Sequence, residues 1–278
     1  MSTAKSSQSS SLVAYERGNV VIVTGGAGLI GSALCESLGQ EGFEVAMVDI
    51  NNESLAKAAD SFQDSVGRSC MTIASDISSQ QGARQAVNEV LHVHGRVDAL
   101  VNNAATKSSS PTDFFTADVD YAQSTWREVM ATNLDGAFFM TQAAGRDMLS
   151  RGSGNIINIA SIYGLVGADQ RIYEGSEYLG FAISTPAVYA ASKAGLLGLT
   201  RHFAASWGSR GVRVNAVTPG GVESGQNETF TKNYGARVPL GRMARLAEIV
   251  AAVKFLVSSE ASYVNGHNLV VDGGLTAW

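Results

Sequence analysis

Tyr189 and Lys193 are the residues whose types and spacing first suggest chemistry, because they place a phenol and an ammonium four residues apart. On a helix that spacing puts both side chains on one face. The pKa of a free tyrosine is about 10, and a positive charge beside the phenol would lower it. Such a pair also arises by chance, so its neighbours decide its meaning.

Polar and small residues follow two of the predicted strands. Ser161 ends the fifth strand, Asn102-Asn103-Ala104 ends the fourth, and Asn133 lies in the helical region between them. An open parallel α/β sheet binds its ligands at the carboxyl ends of its strands. These residues are therefore predicted to share one site with Tyr189 and Lys193.

A glycine-rich turn joins the first predicted strand to the first predicted helix. Small residues let the backbone approach a pyrophosphate, whose charge then lies at the N–H groups and positive dipole end of the helix. The strand–turn–helix context predicts a dinucleotide site that includes Gly25, Gly28, Leu29 and Ile30. The turn reads Thr24-Gly25-Gly26-Ala27-Gly28-Leu29-Ile30-Gly31.

Asp49 and Asp76 extend this predicted site. Asp49 ends the second strand, 18 residues after Gly31, where its carboxylate can accept hydrogen bonds from ribose hydroxyls and would repel a 2′-phosphate. No Arg or Lys stands in the turn or just after Asp49 to bind such a phosphate, so the cofactor is predicted to be NAD rather than NADP. The alternative is that Asp49 caps the helix beginning near Glu53. Asp76 could reach the adenine, although an exposed loop aspartate would look the same.

The elements that must position these residues are short apolar runs alternating with segments of helical period. Continuously apolar runs are typical of strands buried on both faces. The alternation predicts an α/β, Rossmann-type doubly wound fold with a seven-stranded parallel sheet, in one domain spanning 19–278. The predicted strands are Val20–Thr24, Glu44–Asp49, Cys70–Ala74, Val97–Asn102, Asn155–Ala160, Arg213–Val217 and Asn268–Val271. The predicted helices include Leu29–Gln40, Glu53–Phe62, Gln80–His94 and Ala190–Trp207.

Composition excludes several classes of protein. The 278 residues carry a net charge of −5, which argues against nucleic-acid binding. No apolar run approaches the roughly 18 to 20 residues of a membrane helix, and no secretory signal is visible, so we expect a cytoplasmic protein. Residues 1–18 are expected to form a disordered tail, either native or appended. Cys35 and Cys70 are expected to be free thiols, and neither they nor the scattered histidines predict a metal site.

Jointly, these motifs resemble the short-chain dehydrogenase/reductase family from Asn19 to the end of the chain. The matching set is the glycine turn, Asp76, Asn102-Asn103-Ala104, Asn133, Ser161, Tyr189 with Lys193, Pro219-Gly220 and Val271-Asp272-Gly273-Gly274. The resemblance implies cofactor contacts that also involve Ile50, Ile77, Asn103, Ala104, Pro219, Gly220, Val222 and Ser224.

The resemblance also implies a catalytic role for four residues. Tyr189 would be the general acid/base on the substrate oxygen, while the hydride belongs to the cofactor. Ser161 would hold that oxygen, and Lys193 would bind the nicotinamide ribose and lower the pKa of the phenol. Asn133 would support a water-linked proton path to Lys193.

Two features depart from the usual family pattern. Leu29 replaces a glycine that is common in single-domain members, which makes the turn similar to that of sugar-nucleotide epimerases. The sequence nevertheless stops four residues after Gly274, which favours the single-domain branch. Ser161 and Tyr189 are 28 residues apart, roughly twice the usual spacing. An insert is therefore expected within 164–187.

The insert and a second long loop, 106–121, are rich in polar and charged residues. Such residues over a pocket suit a hydroxyl-rich substrate better than an acyl chain, although ordinary solvated loops or subunit contacts would look similar. The candidate substrate residues are Arg171, Tyr173, Glu174, Gln226 and Asn227. The chain is also similar to a subgroup linked to bacterial surface-sugar biosynthesis, including flagellin-modification and nonulosonic-acid dehydrogenases, through Ile162-Tyr163-Gly164, Arg171-Ile172-Tyr173, Gly225-Gln226-Asn227-Glu228, Gly241-Arg242-Met243-Ala244 and Thr276-Ala277-Trp278.

These observations favour an NAD-dependent dehydrogenase that interconverts a secondary alcohol and a ketone on a sugar or polyol. A 3-oxoacyl-thioester reductase is the enzymatic alternative, and a non-catalytic NAD-sensing protein is the alternative of another class. The family pairs the helix of Gly195–Trp207 and the helix through Asn133 across subunit boundaries, so a homodimer or homotetramer is expected.

Overall fold

Seven parallel strands form the centre of the computed structural model, which describes residues 18–178 and 180–278. Their order is β3-β2-β1-β4-β5-β8-β9, which confirms the predicted doubly wound α/β fold. Of the predicted N-terminal tail, residues 1–17 lie outside the described part of the chain. The strands of this sheet and of a separate small hairpin are β1 (Val20–Thr24), β2 (Glu44–Asp49), β3 (Met71–Ala74), β4 (Ala99–Asn102), β5 (Gly154–Ile159), β6 (Glu177–Tyr178), β7 (Phe181–Ala182), β8 (Val212–Pro219) and β9 (Asn268–Val271).

Helices cover both faces of the sheet. They are α1 (Leu29–Gln40), α2 (Asn52–Val66), α3 (Gln80–His94), α4 (Pro111–Phe114), α5 (Gln123–Met130), α6 (Gly136–Arg151), α7 (Ala187–Trp207), α8 (Glu228–Gly235) and α9 (Leu246–Val257). A π-helical turn, Ala131–Asp135, joins α5 to α6. Among the described residues, no helix is both long and apolar enough to cross a membrane.

The two faces of the sheet bury two separate apolar cores. Along β1, Val21 and Val23 face the core made with α1, α2 and α9, whereas Val20 and Ile22 face the core made with α3, α6 and α7. Because side chains alternate between the faces of a strand, a strand with two buried faces must be apolar at every position. This is the physical reason for the continuous apolar runs in the sequence.

Several element boundaries differ from the predicted ones by a few residues, and capping explains two of them. The Asn51 side chain accepts a hydrogen bond from the Ser54 amide at 2.9 Å, so α2 begins at Asn52. Asn51, not Asp49, therefore caps this helix. The extended Pro186 precedes α7, which starts three residues earlier than predicted, at Ala187.

The insert at 164–187 packs against α8. Asn233 Nδ2 donates to the carbonyl oxygens of Ile172 and Glu174 at 3.4 and 3.0 Å. The rings of Tyr173 and Phe230 lie 5.6 Å apart. The insert is thereby held over the carboxyl edge of the sheet, beside the N-terminus of α7.

Candidate functional site

The glycine turn is a close-packed cradle between β1 and α1. Gly25 has a φ of +62°, a left-handed conformation that favours glycine. A Cβ at Gly31 would lie 2.0 Å from the Gly25 carbonyl oxygen, and one at Gly25 would lie 2.9 Å from the Ala104 Cα. The turn therefore needs glycine at both positions.

Asn103 and Thr24 fasten this turn to the end of β4. Asn103 Nδ2 donates to the carbonyl oxygens of Thr24 and Gly25 at 3.0 and 3.2 Å. In return, Thr24 Oγ1 accepts from the amides of Asn103 and Ala104 at 3.0 and 3.1 Å. Asn103, predicted as a cofactor residue, is thus placed at the site with its amide committed to holding the turn.

The N-terminus of α1 fits a pyrophosphate. Gly28 is the N-cap and offers no side-chain cap, and the first turn contains no acidic residue. The amides at the start of a helix have no intrahelical partner, and here they include those of Leu29 and Ile30. Together with the glycine cradle, they form the donor set that a dinucleotide phosphate requires.

The acidic residues predicted for the adenosine end lie at the same edge. Asp49 Oδ2 accepts from the Ala27 amide at 3.2 Å, and Oδ1 accepts from the Asn51 amide at 3.1 Å, which places this carboxylate beside the glycine turn. Asp76 is exposed after β3, and Ile77 is buried against Gly136. Ile50, next to Asp49, is 70% exposed.

Ser161, Tyr189 and Lys193 come together where β5 ends and α7 begins. The Ser161 side chain is hydrogen-bonded to the Tyr189 phenol. Lys193 is buried, and its Nζ lies 5.8 Å from the centroid of the Tyr189 ring. Lys193 Nζ donates to the Ile159 carbonyl oxygen at 2.8 Å. Three of the four predicted catalytic residues thus form one cluster.

Burial sets the pKa of both titratable groups in this cluster. It raises the pKa of the Tyr189 phenol, although the hydrogen bond with Ser161 acts in the opposite direction. It lowers the pKa of the Lys193 ammonium to about 8. Lys193 is not among the groups that shift the pKa of the phenol in this structure, so the lowering expected from its ammonium stays a prediction.

Asn133, the fourth predicted residue, is buried in the π turn. Its Oδ1 accepts from the Thr106 amide at 2.8 Å, and its Nδ2 donates to Ser192 Oγ at 3.5 Å. Ser192 Oγ in turn donates to the Tyr189 carbonyl oxygen at 2.8 Å. Asn133 therefore links the 106–121 loop to α7. The sequence did not predict the π turn, a distortion frequent at functional sites.

The segment after β8 closes another side of the site. The amide of Gly220 donates to the Val271 carbonyl at 2.9 Å, which keeps the turn after Pro219 at the sheet edge. Val222 forms an isolated bridge with Ala244. The Ser224 amide donates to Gln226 Oε1 at 2.8 Å, and Gln226 Nε2 also donates to Ser224 Oγ at 2.8 Å. Gln226 is thus folded back on its own turn.

Of the remaining predicted substrate residues, Tyr173 points towards the catalytic cluster. Its Oη donates to Tyr163 Oη at 3.0 Å and is also hydrogen-bonded to Thr185 Oγ1. In contrast, Arg171 is exposed and paired with Asp169, with Nε to Oδ1 at 2.8 Å.

Asn227 and Glu174 take different positions. Asn227 is the N-cap of α8, where its Oδ1 accepts from the Phe230 amide at 2.8 Å. Glu174 lines a cavity of about 480 Å³ between the 106–121 loop and the insert. Thr185 and Asp118 also line this cavity, and sequence reasoning did not assign either to the site. The Thr185-Pro186 pair directly before α7 is the signal that could have indicated Thr185.

Comparison with known proteins places this geometry in a family. A family profile described as "Enoyl-(Acyl carrier protein) reductase" matches residues 25–276. D-threitol dehydrogenase of Mycolicibacterium smegmatis is 34% identical over 264 residues, covering 93% of both chains. Acetoacetyl-CoA reductase of an Acinetobacter species is 36% identical over 264 residues, covering 92% of this chain and 97% of its own.

A solved structure extends the likeness to three dimensions. The gluconate 5-dehydrogenase of Burkholderia cenocepacia, in complex with NADP and tartrate, superposes with a TM-score of 0.80 at 31% identity, covering 95% of this chain and 98% of its own. The relatives therefore include both polyol dehydrogenases and thioester reductases, and one neighbour carries NADP. With the cradle, the Ser161–Tyr189–Lys193 cluster and these matches combined, the chain belongs to the short-chain dehydrogenase/reductase family of nicotinamide-dependent oxidoreductases.

Proposed function

We propose that the protein is an NAD-preferring dehydrogenase that interconverts a secondary alcohol and a ketone on a sugar or polyol. The observation that carries the proposal is the cluster of Ser161, Tyr189 and Lys193 at the same sheet edge as the glycine cradle. A nicotinamide cofactor supplies the hydride acceptor or donor when bound. The protein must then supply binding and proton transfer.

Tyr189 is the group that moves the proton. In alcohol oxidation its phenolate takes the hydroxyl proton, and in ketone reduction its phenol returns a proton to the oxygen. The Ser161 hydroxyl, already bonded to Tyr189, orients the same substrate oxygen. Lys193 supplies a buried ammonium that would hold the nicotinamide ribose. It would also favour the Tyr189 phenolate once the ammonium no longer bonds to the Ile159 carbonyl oxygen alone. Asn133 positions α7 and supports a water-linked proton path towards Lys193.

The preference for NAD rests on Asp49. Its carboxylate lies beside the glycine turn at the end of β2, where it would accept hydrogen bonds from the ribose and repel a 2′-phosphate. The turn itself and the residues just after Asp49 contain no basic side chain. The NADP-bound neighbour is a reason to test this preference directly.

The polyol substrate class rests on the cavity beside the cluster, whose lining includes hydroxyl and carboxylate residues. Hydroxyl and carboxylate side chains can pair with the many hydroxyls of a polyol, whereas an acyl chain would displace water from these side chains without replacing its hydrogen bonds. A surface-sugar precursor is one substrate of this type. Thioester reduction is the second candidate, favoured by the family profile and the acetoacetyl-CoA reductase relative. We further propose a cytoplasmic homodimer or homotetramer assembled through α6 and α7.

Replacing Tyr189 with Phe tests the proposed activity. We expect turnover to fall by at least about a thousandfold, because the variant lacks the proton donor and acceptor, while NADH binding by fluorescence titration stays intact. The substrate class is tested by NADH production over a panel of sugars, polyols and 3-hydroxyacyl thioesters. Full turnover by Tyr189→Phe would disprove the mechanism, and NADH binding without turnover of any compound would favour a sensing role.

A further inference from the structure

The cavity between the 106–121 loop and the insert adjoins the catalytic cluster through Tyr173. This side chain lines the cavity and, on its other side, bonds to Tyr163, two residues after Ser161. The Tyr173 hydroxyl also lies near enough to the Tyr189 phenol to influence its pKa. Pro186, another lining residue, directly precedes α7 and lies three residues before Tyr189.

The size of the cavity suits the part of a substrate that extends beyond the reacting carbon. Its volume of about 480 Å³ lies within the ~300–1,000 Å³ typical of small-molecule sites. Tyr173, Ser176, Ser184 and Thr185, which all carry hydroxyl groups, are among its lining residues. These groups can both donate and accept hydrogen bonds, as a hydroxyl-rich molecule requires.

The charged residues among the described lining residues are all acidic. Asp118, Glu174 and Glu177 line the cavity, and none of the described lining residues is Lys or Arg. The guanidinium of Arg171 interacts with Glu174 but is bonded to Asp169 and lies mostly in solvent. A substrate carboxylate brought into this cavity would be repelled by these acidic side chains, and none of the described lining residues is a cation that could pair with it.

The N-terminus of α7 would otherwise attract an anion, but Asp118 already occupies it. Asp118 Oδ1 accepts from the Ala187 amide at 3.0 Å, so its carboxylate neutralises the positive end of the helix dipole. This contact occupies a positive feature beside the cavity that would otherwise suit a substrate carboxylate or phosphate.

We propose that this cavity, entered past Tyr173, binds the distal part of the substrate and selects an uncharged, hydroxyl-rich molecule against a carboxylate of the same length. The inference rests on the proposed dehydrogenase function and specifies its substrate class. The insert supplies Tyr173, Glu174 and Glu177 to the cavity.

A matched pair of probes tests the selection. With NAD, we compare kcat/KM for alditols of four to six carbons and for the aldonic acids of the same lengths. We expect the alditol to be preferred by about tenfold or more, the scale of like-charge repulsion in a partly solvated cleft. In the double variant Glu174→Gln/Glu177→Gln, that ratio should shift about tenfold towards the acid. Glu89→Gln, an exposed change on α3 of the same chemistry, should leave the ratio unaltered.

The outcomes separate the two proposals. Equal kcat/KM of the wild-type protein for the acid and the alditol, or a ratio unmoved by the double variant, would overturn the cavity selection and leave the dehydrogenase function standing. Turnover of neither probe, combined with Tyr189-dependent reduction of a thioester, would overturn both.

Discussion

The Lys193 ammonium donates its hydrogen bond to the Ile159 carbonyl oxygen at 2.8 Å. The ammonium is thus anchored to the end of β5, one turn of α7 away from the Tyr189 ring, whose centroid is 5.8 Å from Nζ. A buried lysine held in this way loses hydration that one hydrogen bond replaces only in part, which lowers its pKa to about 8. The catalytic cluster therefore carries a cost in folding stability.

Replacing Lys193 with Met should stabilise the cofactor-free protein at neutral pH while abolishing turnover. The pKa of Lys193 is lower in the folded chain, about 8, than its ordinary value of 10.5. Between these values the unfolded chain binds more protons, so the free energy of unfolding of the wild type rises with pH. At pH 7 the buried charge costs about 3 kcal/mol, offset by roughly 1 kcal/mol for the lost hydrogen bond.

Urea unfolding at pH 7 and at about pH 10 checks this linkage. The stability advantage of Lys193→Met should be about 2 kcal/mol at pH 7 and should shrink as the wild-type lysine loses its proton. Lys57→Met, at an exposed lysine on α2, is the matched control and should show no such trend. A variant less stable than wild type at pH 7 would contradict the expectation.

Replacing Ser161 with Ala should shift the pH dependence of alcohol oxidation to higher pH. Oxidation needs the Tyr189 phenolate, so kcat/KM should rise with pH, and the midpoint reports the pKa of the phenol. The hydrogen bond with Ser161 lowers that pKa, and its loss raises it. We expect a midpoint at higher pH, in addition to a lower rate from the lost contact with the substrate oxygen.

Initial rates of oxidation from about pH 6 to beyond about pH 10 follow this rise towards the midpoint, and ketone reduction by the same variant is the internal control. Reduction uses the protonated phenol, so its rate should fall as pH rises through the same midpoint. A lower rate with an unchanged midpoint would mean that Ser161 acts on the substrate alone.

The fold could be predicted because the core strands appear in the sequence as continuously apolar runs. Val20 to Val23 are all apolar because alternate residues enter different cores, and β1, β2 and β9 match their predicted bounds. The predicted β4 began at Val97, two residues too early. There the Asp147 carboxylate accepts a hydrogen bond from the Val97 amide at 3.0 Å, so this amide is bonded to a side chain rather than to a neighbouring strand.

The roles of individual polar side chains could be predicted less well, because they depend on long-range contacts. Asn103 resembles a cofactor ligand in sequence, and its amide bonds to Thr24 at the end of β1 and to Gly25 in the glycine turn, 79 and 78 positions away. Arg171 resembles a substrate ligand, yet Asp169, two residues before it, holds its guanidinium. Asp118 is one of the charged residues of the 106–121 loop, and the fold alone brings it to the N-terminus of α7.

Replacing Asp49 with Asn should weaken the discrimination against NADPH. The amide retains an oxygen that can accept from the Ala27 amide, so the glycine turn stays in place while the negative charge is removed. We expect the ratio of Kd for NADPH to Kd for NADH to fall by about tenfold, because repulsion of the 2′-phosphate is lost. Fluorescence titration of both cofactors measures it, with Asp60→Asn on the exposed face of α2 as the control. A wild type that already binds NADPH more tightly would contradict the role of Asp49.

Replacing Gly31 with Ala should damage the cradle far more than replacing Gly28 with Ala. A Cβ at Gly31 would lie 2.0 Å from the Gly25 carbonyl oxygen, so the turn itself must move, whereas one at Gly28 would lie 3.3 Å from the same oxygen and needs only a slight shift. We expect Gly31→Ala to lose at least about 2 kcal/mol of unfolding free energy and Gly28→Ala less than about 1 kcal/mol. Urea unfolding without cofactor measures both, and equal losses would show that the turn is not the rigid element that the packing of Gly25 against Ala104 indicates.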